Sequence, residues 1–234
     1  MKHSLYHIAL TDLVWMLIPV GIVAFLYYRW TDDRTTLPYA LGRMLLQLLS
    51  IGYVLVYIFT TSSPWLVGGV LAVMLTAAGI IAMRPLPQAA KHYLYAIVAI
   101  VIGGVLTLGL VLFGVLNPSP WFDPKVVIPL AGMVFANSMN AVSIAAERLH
   151  SERTGGATFA QARATAYRAA LIPIINSLFA VGLVSLPGMM TGQILSGVDP
   201  LIAVRYQMMV MLMILGSAGI SVGVYLSLLF KEED

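Results

Sequence analysis

Apolar residues occupy this chain in long blocks, without the two-residue alternation of a half-buried strand, and polar residues gather in the short gaps between blocks. Seven blocks reach the roughly 20 residues that an α-helix needs to cross a bilayer: 8–28, 37–59, 65–83, 93–116, 126–146, 169–190 and 206–230. The last five contain no Asp, Glu, Lys or Arg. The first block is longer than the apolar core of a signal peptide, and Tyr27-Tyr28-Arg29-Trp30 stands where a small-residue cleavage site would be. The pattern predicts an all-α polytopic membrane protein with seven transmembrane helices, forming a single membrane domain over 1–234.

The gap at 147–168 differs from the others. It opens with charged residues from Glu147, turns at Gly155, Gly156 and Ala157, and continues through Thr158 with Gln161 three positions later. A Thr followed by Gln at that spacing is a capping box, so a short helix outside the membrane is predicted to begin here. From Arg168 and Pro173 the chain then enters the bilayer as the sixth span. A surface helix joined rigidly to a membrane helix is what a transporter needs if an external motor protein is to push on it.

Composition agrees: 60% hydrophobic and 10% charged residues are incompatible with a soluble domain, which carries about a quarter charged. Sorting the thirteen Lys and Arg residues by side sets the orientation. One side receives Arg29, Arg34, Arg43, Arg84, Lys91, Arg148, Arg153, Arg163, Arg168 and Lys231, and the other only Lys2, Lys125 and Arg205. Positive charge favours the cytosol, so the N-terminus is expected outside, with the C-terminus and 147–168 in the cytosol. Trp15, Trp65 and Trp121 then fall toward the outer interface and Trp30 toward the inner one. The basic residues are scattered singly, without the stripe of a nucleic-acid binder. No cysteine is present, which excludes disulfides and thiolate chemistry.

Polar residues within the apolar blocks each need a partner or a task. Arg43, Gln47 and Ser50 share one face of the second span. Arg43 either snorkels to the cytosolic headgroups or pairs with Glu147. Asn137, Asn140, Ser143 and Glu147 form a stripe on the fifth span, which reads either as hydrogen-bonding glue between helices or as a wall of a translocation path. The sixth carries Pro173, Asn176, Ser177, Ser185 and Pro187, with a break expected at Pro187-Gly188. Gly188 with Gly192, and Gly219 with Gly223, have the small-xxx-small spacing of close helix packing or dimerisation. Met189, Met190, Met208, Met209, Met211 and Met213 gather toward the outer half, as adaptable packing or as soft ligands for a soft cation. Enzymatic readings lack parts: Ser185 stands outside a Gly-x-Ser-x-Gly motif, His3, His7, His92 and His150 lie at segment ends, and there is no His-Glu-x-x-His. The phosphate-cradling Gly-x-x-x-x-Gly-Lys-Ser/Thr sequence is absent, so any ATP would be bound by a partner.

Several stretches carry a resemblance. They are Gly42-Arg43 with Gln47 through Gly52-Tyr53 to Phe59, and Ile128-Pro129 with Ala131-Gly132-Met133, Asn137 and Met139. The longest runs from Arg168-Ala-Ala-Leu-Ile-Pro173 through Gly182-Leu-Val-Ser-Leu-Pro-Gly-Met-Met-Thr-Gly192 to Asp199-Pro200 and Arg205-Tyr206-Gln207. In these the chain resembles the small seven-helix ABC-transporter permeases assigned to iron export in bacteria, with plant relatives linked to aluminium tolerance. The resemblance implies a permease of the bacterial cytoplasmic (inner) membrane that forms a homodimer and has no ATPase site of its own. It further implies recruitment of a separate cytosolic ABC ATPase, which binds ATP, through Gly155, Gly156, Ala157, Thr158, Gln161, Arg168 and Pro173. Arg43, Gln47, Asn137, Asn140, Ser143, Glu147, Asn176, Ser185, Met189 and Met190 are the candidates for lining the path. The stretch before Gly155 holds only Glu147 and Glu152, fewer acids than the family pattern. The main competing reading is an ion-coupled secondary transporter, which ordinarily holds a titratable group near midmembrane. Here the one acid within a span is Asp12, close to its outer end.

Overall fold

The computed structural model describes residues 9–60, 63–86 and 89–233, which leaves Lys2, His3 and His7 outside the described set. Two compact units, residues 1–61 and 62–234, make up the chain.

In the first unit a 3-10 stretch, Leu10–Met16, leads into α1 (Leu17–Thr31), and α2 (Thr36–Thr60) follows. The connection is built by Asp33. One carboxylate oxygen accepts the backbone N–H groups of Thr35 and Thr36 at 2.9 and 3.1 Å, and the other accepts the Tyr27 hydroxyl at 3.0 Å. Asp33 therefore closes the N-terminal end of α2 and ties it to the last turn of α1. These hydrogen bonds, led by the Thr36 side chain, hold its carboxyl well below the usual carboxylate range. No residue of α1 is buried, and large apolar side chains such as Phe25, Leu46 and Val56 are exposed. In a bilayer lipid tails are the solvent for such side chains.

The second unit contains α3 (Pro64–Ala82), α4 (Ala89–Gly109, continued by a π-helical stretch Leu110–Leu116), α5 (Pro124–Thr154), α6 (Phe159–Ala180), α7 (Gly188–Leu195) and α8 (Pro200–Glu233). Helix α5 lies at its centre, packed by α3, α4, α6 and α8. Small residues make that packing possible: Ala96, Ala99, Ala131, Ala145, Ala162, Ala166 and Ala218 have no accessible surface. Among apolar helices in lipid, close approach and dispersion replace the hydrophobic drive, and only small side chains permit it. The tightest seam joins α4 to α8. A Cβ on Gly103 would stand 2.7 Å from the Ser217 carbonyl oxygen and 2.8 Å from the Ser221 nitrogen, and one on Gly216 would stand 3.2 Å from Thr107 Cγ2.

The helices alternate in direction. Met83, just past α3, receives the buried Tyr225 hydroxyl of α8 on its sulfur at 3.6 Å. His92 at the start of α4, His150 near the end of α5, Phe159 at the start of α6 and Leu229 near the end of α8 line one cavity. These ends coincide, so Arg84, Arg148, Arg153 and Arg163 gather at one end of the bundle. Lys125 and Arg205 stand toward the other, as do the exposed rings of Trp65 and Trp121. Since α5 and α8 both finish at the basic end, the intervening residues 155–199 carry the chain back across the bundle.

Among the described residues six helical stretches are long and apolar enough to cross a membrane: Thr11–Thr31, Thr36–Thr60, Pro64–Ala82, His92–Leu116, Pro124–Thr154 and Pro200–Phe230. The expected span 169–190 is not among them. Helix α6 stops at Ala180, where Val181 turns extended and Gly182 adopts φ +84°, a left-handed conformation that glycine tolerates and bulkier residues resist. A tight turn closes with the Gly182 N–H donating to the Ser185 carbonyl at 3.0 Å, and Pro187 then caps the eight-residue α7. The break expected at Pro187-Gly188 is thus wider and begins at Val181, six residues earlier, because apolarity continues through a segment whose backbone has left the helix.

Helix α5 exceeds its expected extent for the opposite reason. Residues 147–154 are polar yet helical, with Arg148 and Glu152 paired one turn apart. At 1.5 Å per residue the helix is about 46 Å long, against roughly 30 Å of hydrocarbon, so it projects beyond the bilayer.

Candidate functional site

The projecting end of α5 and the start of α6 form a corner of four residues. Gly156 sits at φ +89°, the left-handed position after a helix end. Its N–H donates to the Arg153 carbonyl at 3.1 Å, and that of Ala157 donates to the Glu152 carbonyl at 3.1 Å. These are the two bonds of a Schellman motif, and they satisfy carbonyls that the helix end would otherwise orphan. The Arg153 guanidinium donates to the Ala157 carbonyl at 3.1 Å across the corner.

The next helix begins at once. The Gln161 N–H donates to Thr158 Oγ1 at 3.4 Å, and the Thr158 N–H donates to Gln161 Oε1 at 3.1 Å, completing the capping box read from the sequence. Ala162, Ala166 and Ala170, one turn apart, are buried to 1% exposure or less. The Phe159 ring meets that of Phe230 at 5.4 Å between centroids, with the Arg163 guanidinium over Phe230 at 5.9 Å. The separate surface helix expected before Arg168 is instead the first part of α6, which runs unbroken from Phe159 to Ala180 through Pro173. Pro173 lies on an exposed face and gives up the backbone bond to the Ala169 carbonyl without ending the helix, and the Ser177 hydroxyl donates to the Pro173 carbonyl at 2.9 Å. A displacement at the corner therefore passes along one helix with no hinge at Arg168.

Around the corner, Gly155, Gly156, Thr158, Gln161 and Arg168 are exposed and Ala157 is half-buried. The candidate path residues are spread over several elements. Arg43 and Gln47 are exposed on α2 of the first unit. On α5, Asn140 and Glu147 are exposed, while Asn137 and Ser143 are half-buried and Asn137 donates to the Met133 carbonyl of its own helix at 2.8 Å. The opposite face of α5, including Val134, Ser138, Val142 and Leu149, is the one buried. Asn176 is exposed on α6, and Ser185 belongs to the turn after it. Of the methionines, Met190, Met208 and Met211 line one cavity of about 380 Å³ beside Gln207, whereas Met213 is core and Met189 stands on α7 outside that lining. Cβ atoms added at Gly219 and Gly223 would meet Tyr167 of α6, whereas ones added at Gly188 or Gly192 would meet nothing within 4 Å among the described residues, apart from their own helix.

Two features had no sequence signal. A cavity of about 190 Å³ behind the corner is lined by His92, His150, Arg153, Phe159 and Tyr225, and His92 Nδ1 is buried there with no hydrogen-bond partner among the described residues. Buried polar atoms also punctuate the helix seams, with Ser138 Oγ, Gln207 Oε1 and Ser221 Oγ all lacking partners among the described residues. Both arise from which faces meet, and residue order alone does not specify that. Among the described residues no group of three or more His, Asp or Glu is placed to hold a metal ion.

Long apolar helices, exposed apolar surface and a basic bundle end define a multi-pass integral membrane protein. Within that class the chain belongs to the family described as "Uncharacterised protein family (UPF0014)", whose model matches residues 10–232. A UPF0014 membrane protein of Synechocystis is 37% identical over 232 residues, covering 92% of this chain and 90% of the relative. "Probable iron export permease protein FetB" of Escherichia coli is 38% identical over 198 residues, covering 78% and 75%. "Protein ALUMINUM SENSITIVE 3" of Arabidopsis thaliana is 34% identical over 199 residues, covering 78% and 71%. No solved structure matches.

Proposed function

We propose that the chain is the membrane-spanning permease subunit of an ABC transporter, coupling ATP hydrolysis on a separate cytosolic ATPase subunit to export of a metal such as iron. The observation that carries this reading is the corner at 155–158: a doubly capped turn projecting from the basic end and continuous with α6. Basic ends face the cytosol, where an ATPase would find Gly155, Gly156, Ala157, Thr158 and Gln161 at the tip. Force applied there travels through Arg168 and Pro173 without a joint to absorb it.

In this reading α6, the turn after it and α7 make a seventh, discontinuous crossing, which puts the N-terminus outside and the C-terminus in the cytosol. Irregular backbone at membrane depth is tolerated where protein or water covers it, and broken helices are frequent at transport sites. The stripe of Asn137, Asn140, Ser143 and Glu147, half-buried or exposed in the single chain, would face the path in the working assembly, a homodimer, as would Arg43, Gln47, Asn176, Ser185, Met189 and Met190. Iron enters from the Escherichia coli relative, a probable iron export permease.

The experiment is reconstitution with the ATPase that co-purifies from the native host. Permease should stimulate ATP hydrolysis, and Ala160→Trp, an exposed change in the first turn of α6, should abolish stimulation while leaving membrane insertion intact. Uphill transport by the chain alone, without nucleotide, would overturn the reading in favour of a secondary transporter. Mapping the corner to the extracellular side would overturn it too.

A further inference from the structure

Beside the corner, α6 and α8 leave a groove of about 580 Å³, within the roughly 300–1,000 Å³ of ordinary ligand sites. Its two ends differ in chemistry. Arg163, Arg168 and Ser227 stand toward its basic end, with Leu226 beside Ser227 in the wall, and Leu171 and Ile175 continue it along α6 toward the other end. From Arg163 to Ile175 the groove follows α6 for about 18 Å, at 1.5 Å per residue. Gly223 lies in its floor, where the lack of a side chain gives it depth. Among the described residues no acidic side chain pairs with Arg163 or Arg168, and the Arg163 guanidinium lies over the Phe230 ring.

We propose that this groove holds one anionic phospholipid of the leaflet at the basic end, with its phosphate between Arg163 and Arg168 and an acyl chain along Leu171 and Ile175. Charge complementarity selects the headgroup: two guanidiniums at the border of an apolar block call for an anion, and phosphate matches their fork of donors. The apolar lining selects a lipid over a free anion, which would leave the exposed Ile175 side chain and Tyr167 ring uncovered. Basic pockets between membrane helices are suited to acidic headgroups for these reasons. The position matters because α6 is the helix that leaves the corner, so a lipid wedged between α6 and α8 biases how far α6 can move against Gly219 and Gly223. The site needs no ATPase, so its test is independent of the function proposed above.

The test is native mass spectrometry of the full chain, delipidated in mild detergent and titrated with phosphatidylglycerol or with phosphatidylcholine of the same chains. One tightly held phosphatidylglycerol per chain is expected, preferred roughly thirtyfold, at about fivefold for each arginine. Arg163→Gln and Arg168→Gln should each remove about their share, and Arg168→Lys should keep most of it. Gly223→Leu fills the floor without changing charge and should abolish tight binding; Ser227→Leu at the mouth is a second such variant. Arg205→Gln, at the other end of the bundle, should change nothing. Equal binding of the two lipids, or an effect of Arg205→Gln as large as that of Arg168→Gln, overturns the proposal. So do full binding by both Gly223→Leu and Ser227→Leu, and displacement of the lipid by inorganic phosphate. A disulfide between copies carrying Ser227→Cys, in a chain with no other cysteine, would assign the groove to a second copy instead.

Discussion

Replacing Gly103 by alanine tests the central seam of the bundle. The new Cβ would lie 2.7 Å from the Ser217 carbonyl oxygen and 2.8 Å from the Ser221 nitrogen, with the Ser221 hydroxyl closer still. The hydroxyl can rotate away, but the other two atoms are backbone of α8 and move only with the helix. Ordinary contact begins near 3.4 Å, so α4 and α8 must separate by about 0.7 Å at this level. A gap of 0.5–1 Å forfeits a quarter to a half of each dispersion contact it opens. The contacts at risk include Thr107 on Gly216 and the neighbours of the buried Ala99, Ala218 and Val222. Overpacking of this kind costs about 1–3 kcal/mol. At roughly 2–4 °C per kcal/mol for a chain of this size, the melting midpoint should fall by about 3–10 °C. The assay is thermal unfolding of the purified protein in one detergent, with Gly109→Ala as the control. Gly109 has nothing within 4 Å, so alanine there gains helix propensity, up to about 1 kcal/mol, without a clash. A Gly103→Ala protein that melts with or above the Gly109→Ala control would refute backbone contact between α4 and α8.

Thr158→Ala removes the cap of α6 and should cost about 1 kcal/mol, seen as a lower melting midpoint and faster amide exchange at Gln161. Ser138→Ala should be neutral or stabilising by about 1 kcal/mol, because the buried hydroxyl it removes has no partner among the described residues; a loss of stability would reveal a hidden hydrogen bond. Gly156→Ala places a Cβ at φ +89° and should cost about 1–2 kcal/mol in the same melting assay, whether or not an ATPase is present. Asp33 is a carboxylate whose folded pKa is depressed, so its contribution is complete above its ordinary value near 3.8 and is lost only as pH falls through the lower folded value. Amide protection at Thr35 and Thr36 should accordingly persist at pH 5, fade only in stronger acid, and vanish at neutral pH in Asp33→Ala.

Much of this protein is written locally. Six of the seven expected spans correspond to long apolar helices, because a block without charge has no alternative in a bilayer and a helix satisfies its own backbone. The start of α6 was legible for a similar reason: the Thr158 and Gln161 side chains serve backbone groups within three residues of themselves. Positive charge sorted itself to one end of the second unit as its spacing along the chain implied. What residue order left open is whatever depends on one segment meeting another. Hydropathy reads 169–190 as continuous, but Gly182 and the turn to Ser185 end the helix early, and hydropathy does not register backbone conformation. Ser217, Ser221 and Thr107 look like incidental polar residues until α8 is laid on the glycines of α4. Arg163 and Arg168 look like flanking charges until Gly223 opens the groove beside them. Apolar and helical character are properties of single stretches, so the sequence alone determines them; the seam, the cavities and the groove depend on which small residues face each other, which only the packed helices decide.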